Sequence, residues 1–171
     1  MLTGKSISLR ALEPTDLDLL YKWENNPEVW TVSNTLTPFS KFILEQYIAN
    51  SHLDIYSTKQ LRLLICLLEQ PIGNVDLFDF DPFHHRAGIG ILIAEGAQRF
   101  KGYASEALSL LINYGFNTLG LNQLYCNVGI DNEASLALFK KHGFEITGTK
   151  KQWVKNGNNY QDEYLLQLIR K

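Results

Sequence analysis

The chain has 171 residues, of which 45% are hydrophobic and 20% are charged, as in a single soluble globular domain. Sixteen basic and eighteen acidic side chains leave a formal charge of −2, which excludes the broad basic face of a general nucleic-acid-binding protein. The opening MLTGKSISLR lacks the apolar stretch of a secretion signal, and no apolar run approaches the roughly 20 residues of a membrane span, so a cytoplasmic protein without a membrane partner is expected.

The N-terminal third predicts one strand and two helices. Alternation over residues 6–12 predicts the opening strand. Thr15 and Asp18 have the spacing of a capping box ahead of a first helix, which Asn25-Asn26-Pro27 should end. A loop and a second helix follow, at residues 29–39 and 40–50.

Three strand candidates occupy the middle of the chain. Residues 61–68 are almost continuously apolar, which predicts a strand covered on both faces. Glu69-Gln70-Pro71 predicts a turn into a second strand at 72–80, so the two should form a hairpin. A third strand is expected at 87–96, where two glycines leave the backbone unusually approachable.

A long helix is predicted at residues 102–119, because its apolar residues recur on one continuous face. A short strand at 123–128 follows it. A strand, a crossover helix and another strand form a βαβ unit, so the strands on either side of this helix should be parallel neighbours.

The C-terminal part predicts one capped helix and a hairpin. Asp131-Asn132 should cap a helix that runs to about Lys141, with Gly143 in the left-handed position that stops it. The remaining residues predict two strands around Asn156-Gly157, a strong hairpin signal. Together, the predicted elements form one α/β domain, residues 1–171, with a largely antiparallel sheet and one parallel pair of strands.

The cysteines and the paired histidines carry no clear chemistry. Cys66 and Cys126 lie in apolar segments, which favours buried reduced thiols over a disulfide or a nucleophile. His84 and His85 lie near Asp81, but no further ligands occur at a metal-binding spacing, so no metal is expected. Packing or capping of their loop is the favoured role.

The segment QRFKGYA lies between a predicted strand and the long helix. The first N–H groups of a helix have no partner inside it and carry positive partial charge, while Arg99 and Lys101 add charge and Gly102 gives access to the backbone. An anion site and a basic loop with an incidental glycine both fit this pattern. No Walker motif is present, and Gly88-Ile89-Gly90 lacks a third glycine at the dinucleotide spacing, which disfavours a nucleotide-binding domain.

Two motifs resemble the signatures of the GNAT family of N-acetyltransferases. Arg99-x-x-Gly102-x-Ala104 is similar to the first, and NEASLALFKKHGF, from Asn132 to Phe144, is similar to the second. His85-Arg86-Ala87 and the Asn156-Gly157…Tyr160 hairpin resemble the branch of ribosomal-protein N-terminal and spermidine acetyltransferases. The likeness spans nearly the whole chain and is weakest over residues 23–60. It implies a mixed, mostly antiparallel sheet of about six to seven strands, about four helices and one splayed parallel pair.

The resemblance also implies acetyl-coenzyme A as cosubstrate, with its pyrophosphate at the start of the long helix. Beside the charge of Arg99, the backbone amides expected to hold it are those of Phe100, Lys101, Gly102, Tyr103, Ala104 and Ser105. The pantetheine arm is expected alongside Leu92, Ile93 and Ala94. The thiol end is expected beside Asn132, Ser135 and Phe139.

The implied reaction is direct attack of a primary amine on the thioester. Because an amine with a pKa near 10 arrives mostly protonated, a carboxylate or a water relay must take its proton. Asp76 is the first candidate and Asp79 the second; they differ in strand parity and should face opposite sides of the sheet. The resemblance to spermidine acetyltransferases favours Asp76, which lies where those relatives have a glutamate. The N–H of a residue near Ile93 is expected to hold the developing oxyanion.

Phe139 departs from the family pattern, because many relatives have at this position a tyrosine that is the proposed acid for the thiolate. Ser135, Tyr103 or a water could replace it, or the thiolate could leave unaided. A non-catalytic or weakly active acyl-coenzyme A-binding module is the alternative function.

The acceptor is expected to be a polyamine such as spermidine or a protein N-terminus, with aminoglycosides and amino sugars as alternatives. Glu24, Glu28 and Glu45 could give the acceptor site a negative lining, although helix glutamates are usually only solvated. Self-association into a homo-oligomer is left open.

Overall fold

An eight-stranded mixed sheet forms the centre of this computed structural model, which describes residues 1–33 and 35–171. The strands are β1 Leu2–Thr3, β2 Ile7–Arg10, β3 Leu61–Leu67, β4 Gln70–Asp81, β5 Arg86–Ile93, β6 Gln123–Gly129, β7 Glu145–Asn156 and β8 Asn159–Ile169. The α-helices in the same residues are α1 Leu17–Glu24, α2 Pro27–Ser33, α3 Lys41–Ala49, α4 Ile55–Thr58, α5 Tyr103–Asn117 and α6 Glu133–Lys141. The strand order is β1-β2-β3-β4-β5-β6-β8-β7, and among the strand pairs of these described residues only β5–β6 is parallel.

Helices cover both faces of the sheet, because the central strands carry apolar side chains on both sides. Alternate residues of β3 belong to two separate core clusters. Leu63 and Ile65 pack in the cluster that includes Leu108 and Leu111 of α5. Leu64 and Cys66 pack in the second cluster, with α1 and α3. The predicted double coverage of this strand is therefore confirmed.

The parallel pair separates soon after it begins. β5 and β6 pair only at Arg86–Gln123, Ala87–Leu124 and Gly88–Tyr125. Beyond these positions β5 remains bound to β4 and β6 remains bound to β8, so a gap opens between the two halves of the sheet. Both the parallel pairing predicted from the βαβ pattern and the splay implied by the family resemblance are confirmed.

The long helix begins within one residue of its predicted start, and the caps predicted at Asn132 and Gly143 are confirmed. Gly102 is the residue before α5 and has a φ of +88°, a left-handed conformation that glycine adopts without steric cost. The Asn132 side chain accepts a hydrogen bond from the Ser135 N–H at 3.1 Å and so caps α6. Gly143, after the end of α6, has a φ of +85°.

Several local predictions are wrong. The segment 29–39 is not all loop, because Pro27 begins α2, where its missing N–H costs nothing; Asn34 lies outside the described residues. The capping contact before α1 is made not by Thr15 and Asp18 but by Asp16, which accepts from the Glu13 N–H at 2.8 Å. The short elements β1 and α4 were not predicted either; β1 raises the described strands to eight, and α2 and α4 raise the described α-helices to six.

The two tight hairpin turns are each displaced by about one residue from their predicted positions. Leu68 and Glu69, with φ of +47° and +68°, turn the chain between β3 and β4, and β4 already begins at Gln70. In the last hairpin, Asn156 pairs with Asn159, so the turn residues are Gly157 and Asn158.

Asp16 links the end of β2 to the start of α1, and its charge should make stability depend on pH. Arg10 donates to both carboxylate oxygens, at 2.7 and 2.8 Å. Burial alone would raise the pKa of Asp16, but the hydrogen bonds from Arg10 and from the Glu13 N–H outweigh it and lower the pKa.

Asp16→Asn is therefore expected to lower the free energy of unfolding at neutral pH by about 2 kcal/mol. Because folding lowers the pKa of this carboxyl, its contribution is present above the ordinary range near pH 4 and is lost as the pH falls through the folded value. Urea unfolding at a series of pH values measures the difference, with the exposed Asp18→Asn as the control that should change little. An equal loss at all pH values would contradict the role of this charge.

Candidate active site

A cleft of about 870 Å³ opens where β5 and β6 separate. Its walls are built from the end of α1 and α2, from β3, β4 and β5, from the end of β6 with the start of α6, and from the β7–β8 hairpin. The segment that carries the second sequence signature lines this cleft through Asn132, Ser135 and Phe139. Residues 99–104, which carry the first, follow β5 and lie outside the cleft lining of the described residues.

The loop between β5 and α5 presents a row of free backbone donors. Phe100 and Gly102 both have positive φ, at +61° and +88°. In the described part of the chain, the N–H groups of residues 100–105 have no hydrogen-bond acceptor, since the first bond of α5 is donated by Glu106 to the Gly102 carbonyl. No atom lies within 4 Å of where a Gly102 Cβ would be, so the row is open to a ligand. Such a row suits an anion.

The end of β5 turns its polar groups toward the gap at Ile93. The Ala94 N–H donates to the Ile72 carbonyl at 3.0 Å, on the β4 side. The Ile93 carbonyl faces the other way and accepts from Arg99 Nε at 3.0 Å. Since N–H and C=O of one strand residue point to the same side, the Ile93 N–H also faces the gap, where β6 has already moved away. Leu92, Ile93 and Ala94 thus form one rim of the gap. Of these three, Ile93 holds the loop between β5 and α5, here called the anion loop, through its contact with Arg99.

On α6, Ser135 and Phe139 lie four residues apart and both line the cleft. Phe139 is 4% exposed, and its ring packs edge-on against Phe144 with centroids 5.1 Å apart. Tyr103, the other hydroxyl considered as a donor, is half-buried and lies outside the cleft lining of the described residues. Ser135 is thus the side-chain hydroxyl, of the two considered, that the fold brings to the cleft.

Asp76 faces the cleft from the middle of β4, opposite Gly90 of β5. Its carboxylate accepts from Arg62 Nε at 2.7 Å and from Asn74 Nδ2 at 2.8 Å. Arg62 Nη1 also donates to Glu24 Oε1 at 2.5 Å, so the buried guanidinium joins β4 to the end of α1. These contacts fix the orientation of the Asp76 carboxylate.

Asp79 is placed differently. It has a φ of +48° where the β4–β5 ladder is irregular, so simple alternation along the strand does not apply. Its carboxylate is exposed and accepts from the Tyr125 hydroxyl at 3.0 Å. Burial, together with Asp79, raises the pKa of Tyr125 to about 12. Of the two aspartates left open by the sequence, only Asp76 lines the cleft among the described residues.

The opposite wall holds a second ion pair that sequence reasoning missed. Lys150 Nζ donates to Glu163 Oε2 at 3.1 Å and to Asn127 Oδ1 at 2.8 Å, and lies 5.1 Å from the centre of the Trp153 ring. Arg62 was missed as well, although a lone arginine in the apolar run LRLLICLL was a usable signal. No comparably local signal marks Lys150 and Glu163.

The other chemistry-bearing candidates lie outside the cleft or have structural roles. Glu28 and Glu45 are exposed and lie outside the cleft lining of the described residues. Asp81 accepts hydrogen bonds from the backbone of the loop that follows it. Cys66 and Cys126 are free and buried, as predicted, and burial raises the pKa of Cys126 to about 12.

Two kinds of feature are absent from the described residues. Residues 1–33 and 35–171 hold no group of three or more histidine, cysteine, aspartate or glutamate side chains placed to bind a metal. Within the same residues, no helix is long and apolar enough to cross a membrane.

Comparison with known proteins identifies the family to which this arrangement belongs. The sequence profile described as "Acetyltransferase (GNAT) domain" matches residues 6–145. The chain belongs to the GNAT acetyltransferase family. Spermidine N(1)-acetyltransferase of Escherichia coli (strain K12) is 30% identical over 151 residues, which cover 86% of this chain and 77% of that protein.

Solved GNAT structures share the fold. The spermidine N-acetyltransferase from Vibrio cholerae in complex with CoA and spermine superposes with a TM-score of 0.85 at 24% identity, covering 97% of this chain and 96% of that chain. RimL, a ribosomal L7/L12 alpha-N-protein acetyltransferase in complex with coenzyme A, superposes with a TM-score of 0.83 at 19% identity, covering 97% and 95%. At these identities the likeness shows the fold alone.

Family membership also gives the class of reaction and its cosubstrate. The protein is an acetyl-coenzyme A-dependent N-acetyltransferase. Six open N–H groups, with no Cβ at Gly102, suit the pyrophosphate of coenzyme A. The anion-site interpretation of QRFKGYA is therefore favoured over an incidental glycine, and the nucleotide-binding alternative is set aside.

Proposed function

We propose that this GNAT enzyme is a cytoplasmic N-acetyltransferase that transfers an acetyl group to a primary amine of the polyamine class, such as spermidine, with a protein N-terminus as the second acceptor class. The observation that carries the proposal is the charge of the cleft. Four carboxylates line it against two cations, which leaves a formal charge of −2. Such a lining attracts an acceptor with several ammonium groups.

The two cations are already neutralised, which argues against an acceptor that carries a carboxylate. Arg62 is paired with Asp76 and Glu24, and Lys150 is paired with Glu163. Arg62 and its two carboxylate partners are largely buried, so breaking these pairs to bind a substrate carboxylate would leave a charge unpaired, at a cost of several kcal/mol. The Lys150 side chain is 32% exposed, so breaking its pair with Glu163 would cost less. A polycationic amine needs no such rearrangement.

Each proposed site residue has a separate task. When bound, acetyl-coenzyme A supplies the thioester carbon that the amine attacks and the thiolate that leaves. The amides of residues 100–105, with Arg99 and Lys101, hold the pyrophosphate, and the rim from Leu92 to Ala94 orients the pantetheine arm. The Ile93 N–H, which faces the gap, donates to the oxygen on which negative charge develops, a contribution of about 3 kcal/mol. Asn132 and Phe139 border the thiol end.

Asp76 is the proposed base. It lines the cleft with its carboxylate held by Arg62 and Asn74, so it can accept the proton of an incoming ammonium group directly or through a water. Ser135 is the proposed donor to the thiolate, because it lines the cleft on α6, one turn before Phe139.

A thiol-release assay with purified protein, acetyl-coenzyme A and a panel of amines tests the proposal. Spermidine should give the highest kcat/KM, ahead of a peptide with a free N-terminus, an aminoglycoside and an amino sugar. Calorimetry measures coenzyme A binding in parallel. Tight binding without thiol release from any amine would replace the enzyme with a binding module; a clear preference for the peptide would move the acceptor to a protein N-terminus.

The phenylalanine at position 139 allows a sharper test of the proposed donor. Its missing hydroxyl is the observation that favours the alternative function, a weakly active acyl-coenzyme A-binding module. We expect Ser135→Ala to lower kcat by about tenfold if Ser135 serves as the donor, since a thiolate is not a very poor leaving group. Phe139→Tyr should then restore much of the loss. In the wild-type background, a large rise in kcat with Phe139→Tyr would instead show that no donor serves at present.

A further inference from the structure

The two glycines of β5 that lie near the point of separation leave space for one aromatic ring. A Cβ at Gly88 would lie 2.2 Å from Cε2 of Phe78, a distance that real Cβ atoms do not reach. A Cβ at Gly90 would lie 3.7 Å from Cε1 of the same ring, in ordinary contact. The Phe78 ring therefore lies over both glycines, which explains why the sequence GIG occurs in a strand without any nucleotide motif.

The same ring is supported from the neighbouring strand. It packs edge-on against Tyr125, with centroids 6.0 Å apart and planes at 80°. The Tyr125 hydroxyl donates to Asp79 at 3.0 Å, which holds Tyr125 in place. Gly88 pairs with Phe78 on one side and with Tyr125 on the other, and it is the last residue at which β5 and β6 are joined.

Phe78 also belongs to the wall of the cleft. It lies two residues after Asp76 on β4, so both side chains project from the same face of the strand, and both line the cleft. The ring is half-buried, with glycine backbone on one side and Tyr125 on another. An aromatic ring confined in this way cannot move far when a ligand enters.

We propose that Phe78 is a specificity-determining residue, whose ring closes the cleft where the strands separate and excludes acceptors with a bulky group next to the reacting nitrogen. The preferred acceptor is then a primary amine on an unbranched, flexible chain. This inference rests on the proposed amine acetyltransferase function and narrows its substrate class. The physical reason is volume: the space that Gly88 and Gly90 leave is already filled by the ring.

Two diamines of matched length test the inference. Hexamethylenediamine is flexible and unbranched, whereas para-xylylenediamine separates its two nitrogens by the same number of carbons but carries a rigid ring on the carbon next to each nitrogen. The wild-type enzyme should prefer the flexible diamine. Phe78→Ala should raise the kcat/KM ratio of the aromatic to the flexible diamine by about tenfold or more, and Phe78→Leu should give a smaller rise.

Phe83→Ala is the matched control, because it removes the same atoms from a ring that is 83% exposed in the loop after β4. It should leave the ratio unchanged. Coenzyme A binding and the melting temperature verify that each variant is folded, and Phe78→Leu serves if the alanine variant is not. An unchanged ratio in a folded Phe78 variant overturns this inference and leaves the proposed function standing. A wild-type enzyme that releases no thiol with any amine overturns the proposed function, and this inference with it.

Discussion

Gly102→Val is expected to weaken coenzyme A binding by about a hundredfold or more, because it should remove two or more charge-assisted hydrogen bonds to the pyrophosphate. Gly102 has a φ of +88°, a conformation that a β-branched residue adopts only with strain, and its Cβ position is open toward the ligand side. Valine would therefore both distort the row of N–H donors at the start of α5 and block its approach. Calorimetric titration with coenzyme A measures the effect.

Gly120→Val is a matched control at the other end of the same helix. Gly120 also has a positive φ, at +66°, and no atom lies within 4 Å of its Cβ position, so the backbone strain is comparable. The control should lose stability but keep its affinity for coenzyme A. Unchanged affinity in Gly102→Val, with the fold intact, would show that the pyrophosphate is not bound at this loop.

Asp76→Asn is expected to lower kcat/KM by about a hundredfold to ten-thousandfold, the range typical of a lost general base, while coenzyme A affinity changes little. Asparagine keeps the shape of the side chain but cannot take a proton from the acceptor amine. Steady-state thiol release with spermidine measures the loss of kcat/KM. Thermal melting shows whether the variant is also less stable, since it leaves Arg62 with only Glu24 as its carboxylate partner.

Asp79→Asn makes the comparison decisive, because the sequence left both aspartates as candidates. Asp79 is exposed and bonded to Tyr125, so its replacement should change kcat/KM by less than about threefold. If Asp79→Asn were the more damaging change, the base would be Asp79, and the cleft-lining position of Asp76 would be structural.

Local signals in the sequence were sufficient for most of the elements around the cofactor loop. Helical periodicity, together with Gly102 before α5 and Gly143 after α6, predicts the ends of these helices to within about two residues. This works because caps and apolar faces depend on residues only a few positions apart. Pro27 shows the limit of such signals. A proline ends one helix and is equally suited to begin the next, and only the packing of the chain decides between them.

The ion pair between Lys150 and Glu163 in the cleft depends on a contact between residues that are distant in sequence. An uninterrupted ladder from the Asn156–Asn159 pair would set Glu163 opposite Gln152, but the register shifts between Lys150 and Val154. Gln152, with a φ of +48°, takes up the extra length, and Lys150 comes to face Glu163. Turn chemistry fixes where a hairpin starts, whereas an irregularity within it cannot be counted from the turn.

The separation of β5 from β6 also has a consequence for stability. Three paired positions join the two strands, although both continue for several residues beyond Gly88 and Tyr125. A continuous sheet would satisfy the backbone groups along that length, so the native fold forgoes hydrogen bonds that its own chain could make. Substitutions that drew the strands together would then strengthen the fold and remove the cleft, so stability and activity are opposed at this point of the sheet.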